Sequence, residues 1–442
     1  MAKRSEQRER VCLISLGCSK NLVDSERLAS RLEEAGYDVT FDEDDFRDSH
    51  VVINTCAFIG DAKEESIDYL LSAIQRKKEG KVRSVRLMGC LGQRYRSEMK
   101  EEMPELDAVY GKFDWDGIVG DLAAAHKASR PWKRKLSTEP HYTYIKISEG
   151  CNRFCAFCAI PLITGRHTSR PIEEIVEEVK DMASSGTREF NIIAQDLSSY
   201  GHDLYGREIE GRSPLALLLE RLAAVEGADM IRLHYAYPAD FPMDILTVMA
   251  SHPNICKYLD IALQHIDDTV LENMRRHIDA DGTRKLLAEI RRQVPGIHIR
   301  TTLMVGFPGE TDEAFGRLLD FVREQRFERM GAFEYCEEDD TYAALHYSDD
   351  IPPEVKSARH EKLMELQNEI ADEIAEAKVG KTLRVIVDSE ADDVYICRSE
   401  YDSPEVDCEV YVDKDIALHP GDIVEVHVRE ARGMDLYGNL LK

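Results

Sequence analysis

The sequence predicts an α/β protein in three parts: an N-terminal parallel α/β domain, a central partial (β/α)6 TIM-like barrel and a small C-terminal antiparallel β-barrel. Three observations lead there. Short apolar strands alternate with helical stretches from Val11 to about Ala125, and the alternation resumes through six countable strand–helix units from Tyr142 to Cys336. After Gly380 the pattern changes to β-branched runs separated by Asp, Ser, Pro and Gly turns. A chain of 442 residues is too long for one ordinary domain, and the expected boundaries are 8–126, 137–375 and 376–442.

In the first part, Val11–Leu16 is a strand and Leu22–Ala35 a helix with Leu28 and Leu32 on one face. Val51–Thr55 is the second strand, a helix runs from about Glu64 to Lys77, and Val85–Met88 is the third strand. The polar stretch Lys127–Pro140, with its basic run Arg130–Lys135, reads as a linker. Six strands follow, at Tyr142–Ser148, Glu189–Asp196, Met230–Tyr237, Tyr258–Gln264, His298–Val305 and Arg329–Cys336. Helices fill the gaps, as at Ile172–Ser184 behind the start signal Ser169–Pro171. In such a barrel the site lies at the C-terminal ends of the strands. Pro352–Val379 is a long helix, and Leu383–Val387, Val394–Cys397, Glu409–Val412 and Ile423–Val428 are the strands of the last module.

Composition limits the function. No apolar run is long enough to span a membrane. The charged opening Met1–Arg10 has no signal-peptide core behind it, so a cytoplasmic location and no membrane partner are expected. In that compartment the eleven cysteines stay reduced, and clustered ones read as metal ligands or catalytic groups. The formal charge of −27 repels polyanions and disfavours direct RNA binding.

Two sets of cysteines carry chemistry. Cys151, Cys155 and Cys158 form C-x3-C-x2-C just after the strand Tyr142–Ser148. Three thiolates on one tight loop can hold three irons of a 4Fe–4S cube and leave the fourth iron open. Zinc sites more commonly pair two C-x2–4-C elements, although His167 could nominally complete one here. Cys18, Cys56 and Cys90 are far apart in sequence, yet each lies just past the end of a strand of the first domain. The ends of parallel strands converge on one crevice, where three thiols can share a metal centre. The plain alternative is three ordinary buried cysteines, which is how Cys12 reads within its strand. Cys12, Cys256, Cys336, Cys397 and Cys408 are taken as structural.

Glu149-Gly150 followed by the first triplet resembles the signature of radical S-adenosylmethionine (SAM) enzymes. Gly17-Cys18-Ser19-Lys20-Asn21, Asn54-Thr55-Cys56-Ala57-Phe58 and Gly89-Cys90-Leu91-Gly92-Gln93 resemble the three cysteine motifs of the methylthiotransferase family, and the resemblance runs nearly end to end. It implies two 4Fe–4S clusters and SAM as cofactors. One cluster, at Cys151, Cys155 and Cys158, cleaves SAM to a 5′-deoxyadenosyl radical; the other, at Cys18, Cys56 and Cys90, carries sulfur. It places Phe157 near the adenine, assigns no catalytic residue beyond the cluster ligands, and likens the C-terminal module to TRAM. Gln195-Asp196 and Val305–Thr311 resemble the family's cofactor-side loops, and no catalytic role is assigned to them.

Cys18–Asp24, Leu233–Pro238 and Gln264–Asp268 resemble the branch that modifies an aspartate of small-subunit ribosomal protein twelve rather than the branch that acts on tRNA. Charge agrees: from Gly380 to Lys442, seven Lys and Arg against fifteen Asp and Glu leave −8, which suits a basic ribosomal protein better than phosphate. A basic ribosomal protein is thus the expected substrate, and a flavodoxin or ferredoxin the expected electron donor; the sulfur donor is unspecified. The alternatives are a tRNA methylthiotransferase and, in another class, a non-catalytic iron–sulfur carrier.

Overall fold

Apolar runs become parallel strands wherever a helix can cover them. The computed structural model describes residues 8–43, 46–57, 60–123 and 132–441. Residues 1–7 of the charged opening, Phe58 of the second cysteine motif and 127–131 of the expected linker lie outside the described residues. The chain divides into two units, residues 1–138 with 159–166, and residues 139–158 with 167–442.

The first unit contains β1 (Arg10–Ser15), β2 (Asp38–Phe41), β3 (Ser49–Thr55), β4 (Ser84–Gly89) and β5 (Ala108–Val109) in one parallel sheet of order β2-β1-β3-β4-β5. The helices Ser19–Glu34 and Gly60–Lys78 correspond to the expected ones and start three to four residues earlier. β2 and β5 were not expected: one is four residues long, the other two, and neither carries an apolar run. The central strands β1, β3 and β4 are adjacent, and their core residues, such as Leu13, Ile53 and Leu87, are buried. The short helix Ile160–Thr164 also belongs to this unit, with Ala159 and Ile163 packed into its core.

The second unit is built on β6 (Tyr142–Lys146), then the small hairpin β7 (Ser148–Glu149) and β8 (Thr168–Ser169), then β9 (Glu189–Ile193), β10 (Met230–Ala236), β11 (Ile255–Ile261), β12 (His298–Val305) and β13 (Arg329–Glu334). Apart from the hairpin, these run parallel in the order β13-β12-β11-β10-β9-β6, an open six-stranded sheet that follows chain order. β12 and the helix Ile172–Ser184 have the expected bounds. β11 starts and ends three residues earlier than expected, and Gln264, beyond its end, has a φ of +72°.

The last module is a closed barrel of β14 (Thr382–Glu390), β15 (Val394–Ser399), β16 (Val410–Asp413), β17 (Ile423–Arg432) and β18 (Asp435–Leu440). Closure requires one correction to the expected antiparallel barrel: β16 and β18 pair in parallel, and β18 is a fifth strand. This barrel covers the N-terminal ends of the six central strands. Tyr142, Glu189, Arg232, Tyr258, Arg300 and Arg329 reach down to it from β6 and β9–β13.

Charges fix that seam. The fully buried Glu189 carboxylate accepts from Arg398 at 2.7 Å and from Arg232 at 3.2 Å. Arg398 also pairs with Asp388 at 2.6 Å, and Asp388 with His141 at 2.8 Å. Arg300 holds Asp407 at 2.6 Å and Arg329 holds Asp402 at 2.5 Å. Three of the fifteen acids and one of the seven cations counted in this module are therefore spent inside the molecule, which weakens its field on outside partners accordingly.

Candidate metal centres

In the first unit Cys18 is the residue before the helix Ser19–Glu34, Cys56 follows β3 directly, and Cys90 opens the helix Cys90–Arg94 after β4. Asn21 knits these strand ends together. Its Nδ2 donates to the carbonyls of Leu16 and Thr55, each at 3.0 Å, and its Oδ1 lies 3.7 Å from the Cys90 sulfur. Two glycines allow the close approach. A Cβ on Gly17 (φ +93°) would sit 2.8 Å from Cys56 Cβ and 3.2 Å from its sulfur. One on Gly89 (φ +97°) would sit 2.3 Å from Asn54 Oδ1 and 2.7 Å from the Thr55 carbonyl. Both loops are thus pressed onto the strand end that bears Cys56.

The three thiols feel one another. Burial pushes Cys90 up to about 12, Lys112 opposes the shift, and neighbouring Cys18 and Cys56 add to it. Desolvation raises Cys18 too, but Lys20, Lys112 and the backbone N–H groups of Asn21 and Lys20 together hold that thiol below its ordinary value. Lys112 is itself buried, 3.8 Å from the fully buried Asp24. Sequence reasoning missed both Lys112 and Asn21; the motif Cys18–Asn21 contained the second, but nothing marked the first.

In the second unit the triplet lies on the loop after β6 and β7, at the C-terminal ends of the central strands. The loop turns through Phe154 at φ +51°. Cys151 is pushed up to about 12 by burial, then by Asp196; Cys155 adds to the rise. Arg153 is anchored to Asp196 at 2.7 Å, and its backbone N–H lies 3.5 Å from the Cys151 sulfur. Gln195 donates to Glu149 at 2.9 Å, and Glu149 pairs with the buried Lys146. The two loops noted in sequence thus act as scaffolding. Asp196 fixes Arg153, and Glu310 accepts from the Gly306 N–H and from Arg359 at 3.1 Å, with His265 Nε2 3.3 Å away.

Phe157 is half-buried beside Cys155, Cys158 and Tyr237, with its ring edge-to-face with Phe307 at 6.4 Å. His167 hydrogen-bonds Ser169 at 3.0 Å and is held below its ordinary value by burial, which is the behaviour of a packing histidine. Cys12 lies in the core of β1, and Cys256 and Cys397 are buried in the second unit; Cys336 is exposed and Cys408 half-buried.

Among the described residues no three His, Cys, Asp or Glu close tightly enough for a single metal ion. A 4Fe–4S cube binds each thiolate at a separate iron and asks for a wider cage. The donor sets fit that group: three thiols each, and in the first set a methyl group at Gly17 would fill the space against the Cys56 sulfur. Either cage of three leaves one iron of a cube without a cysteine.

The chain matches the Radical SAM superfamily over residues 145–322, the uncharacterized protein family UPF0004 over residues 10–111, and the TRAM domain over residues 379–441. It is 52% identical to the ribosomal protein uS12 methylthiotransferase RimO of Phocaeicola vulgatus, over 98% of this chain and all of that one. The protein of the same description from Christiangramia forsetii is 44% identical over all of this chain and 96% of the other. Among solved structures, the radical SAM methyltransferase TsrM of Kitasatospora setae superposes with a TM-score of 0.56 at 14% identity, covering 88% of this chain and 81% of that one. The cobalamin-dependent radical SAM enzyme OxsB gives 0.51 at 13% identity, covering 82% and 56%. Those two likenesses concern the fold alone.

Proposed function

The chain belongs to the ribosomal protein uS12 methylthiotransferase family, and on that basis we propose that it adds a methylthio group to the β-carbon of an aspartate of uS12. It is a radical SAM enzyme working with SAM and 4Fe–4S clusters. The observation that carries this reading is the end-to-end likeness, 52% over 98% of the chain, in a sequence that also holds both three-cysteine sets.

We assign Cys151, Cys155 and Cys158 to the SAM-cleaving cluster and Cys18, Cys56 and Cys90 to the sulfur-carrying one. When bound, these groups supply a 5′-deoxyadenosyl radical to remove hydrogen, sulfur for the carbon left behind, and, from a second SAM, the methyl group. The protein's own share is position and dryness. Asp196 fixes Arg153 and so the cysteine loop, and Phe157 against Phe307 offers an apolar wall on which an adenine can rest. Asn21 ties together the strand ends of the first set. No side-chain general base is needed.

A flavodoxin- or ferredoxin-type protein is the electron donor in this reading. No helix among the described residues is long and apolar enough to cross a membrane.

The test is anaerobic incubation of reconstituted enzyme with dithionite and SAM, plus either uS12 or tRNA. The expected result is 5′-deoxyadenosine with a mass increase of one methylthio group on uS12. Modification of tRNA alone would overturn the substrate, and absence of 5′-deoxyadenosine would leave only an iron–sulfur carrier.

A further inference from the structure

Arg276 is a buried cation that the scheme above does not use. It follows the helix Asp268–Asn273 and lies between Arg275 and His277, both in the left-handed region at φ +58° and +56°. That constrained turn is tied to the cysteine loop, because the Ala156 N–H donates to the Met274 carbonyl at 2.9 Å. Its residue is only 3% exposed. Arg276 Nη1 donates to the Cys155 sulfur at 3.2 Å, Nη2 donates to the Ala262 carbonyl, and Nε has no hydrogen-bond partner among the described residues. No carboxylate pairs with it among those residues.

A guanidinium taken out of water without a counter-anion is strongly unfavourable. The anion it faces is the thiolate that Cys155 becomes on binding iron. Tyr237 completes the arrangement. Its ring lies under the Arg276 guanidinium at 4.2 Å and the Arg153 guanidinium at 4.3 Å. Its hydroxyl donates to the Arg276 carbonyl at 2.7 Å and stands 3.7 Å from the Cys155 sulfur. Two cations therefore converge on one corner of this cage through a single aromatic ring.

We infer that Arg276 is the counter-cation of the Cys151–Cys155–Cys158 cluster: by donating an N–H to the Cys155 sulfur it favours the reduced state, which is more negative by one electron, and so sets the potential at which that cluster accepts an electron. Hydrogen bonds to cluster sulfurs and local charge are the protein's levers on such potentials. Arg276 is thus a positioning residue, acting on SAM cleavage through Cys155. The inference rests on the assignment of these three cysteines to a 4Fe–4S cluster and is independent of which macromolecule is modified.

The experiment is an EPR-monitored redox titration of the full chain, reconstituted anaerobically, with Cys18, Cys56 and Cys90 replaced by alanine so that one cluster gives the signal. Dithionite supplies the electron. The expected order of midpoints is Arg276 highest, then R276K, then R276Q. At the parent's midpoint the reduced-to-oxidised ratio of R276Q should be about tenfold lower than the parent's, equivalent to ~59 mV for a one-electron couple. Equal midpoints in variants that retain their iron would overturn the inference. Loss of iron from both variants would overturn it too, making Arg276 a structural tie. If only R276K loads iron, its midpoint decides: below the parent supports the inference, and equal to it refutes it. None of these outcomes bears on uS12 as substrate, and failure on uS12 would leave the titration unaffected.

Discussion

Gly89→Ala tests whether the first cysteine set depends on a backbone pressed together. Gly89 has φ +97° and ψ −155°, a region closed to residues with a side chain, at a strain of about 1–3 kcal/mol. The added methyl would meet Asn54 Oδ1 at 2.3 Å and the Thr55 backbone at 2.7 Å. Asn54 is buried and held by hydrogen bonds from its Nδ2 to the Asn21 carbonyl and Ser25 Oγ, and the Thr55 backbone sits in a central strand, so overpacking adds about 1–3 kcal/mol. Together these come to about 2–6 kcal/mol, relieved most cheaply by lifting Cys90 away from Cys56. At 1.4 kcal/mol per factor of ten, that is at least about a tenfold loss of the gathered arrangement. The assay is iron per chain after anaerobic reconstitution. The wild type should hold about eight irons and G89A about four, with 5′-deoxyadenosine still formed. Gly120→Ala is the control, because a Cβ there meets nothing within 4 Å. A G89A protein with full iron and an unchanged melting temperature would refute the reasoning.

Four further outcomes are expected. Cys155→Ala should abolish 5′-deoxyadenosine formation while about four irons remain at the other set; surviving cleavage would contradict the assignment. Lys112→Met removes the cation that lowers Cys18 and Cys90, so both thiols rise, and iron loading followed by absorbance should need a higher pH than in the parent. Glu189→Gln leaves two buried guanidiniums short of a counter-charge and should cost about 3–5 kcal/mol, read as an earlier unfolding transition of the second unit. Acid should loosen the same seam in two stages, measurable by denaturant titration across pH. Burial, then Lys378, holds His298 far below its ordinary 6.5, so the stability from its neutral form is present above about pH 6.5 and falls away below it. Asp402 is buried, yet Arg329 and Lys378 depress it below the ordinary carboxylate value; its contribution is full above about pH 4 and lost as pH falls further. His298→Phe should remove the first stage and leave the second.

The central strands were legible from their apolar and β-branched content, as in His298–Val305, where Ile299, Thr301, Leu303 and Val305 are buried in alternation with half-buried neighbours and sequence and structure agree residue for residue. Short or polar strands were not. Asp435–Leu440 reads as turn chemistry through its Asp, Gly and Asn, yet it closes the last barrel by pairing with both β16 and β17. The placement of Cys18, Cys56 and Cys90 at neighbouring strand ends was legible from topology, since β1, β3 and β4 are adjacent and each precedes one cysteine. The residues that give the cages their electrostatics were not. Arg276 and Lys112 reach their cysteines only through tertiary folding, across 121 residues for Arg276 and Cys155. Tyr237 reads in sequence as a strand end within a family-branch motif, and its place between two guanidiniums has no signature there.

The charged seam under the central sheet limits how this enzyme can be rebuilt. A shortened version ending near residue 376 would strand Arg232, Arg300 and Arg329 without the carboxylates and carbonyls that now receive them. A chimera carrying another protein's terminal barrel would meet the same demand, unless the graft brought acids matching Asp402 and Asp407 and a cation matching Arg398. The terminal barrel is thus the floor of the catalytic unit, and exchanging it means redesigning six strand ends at once.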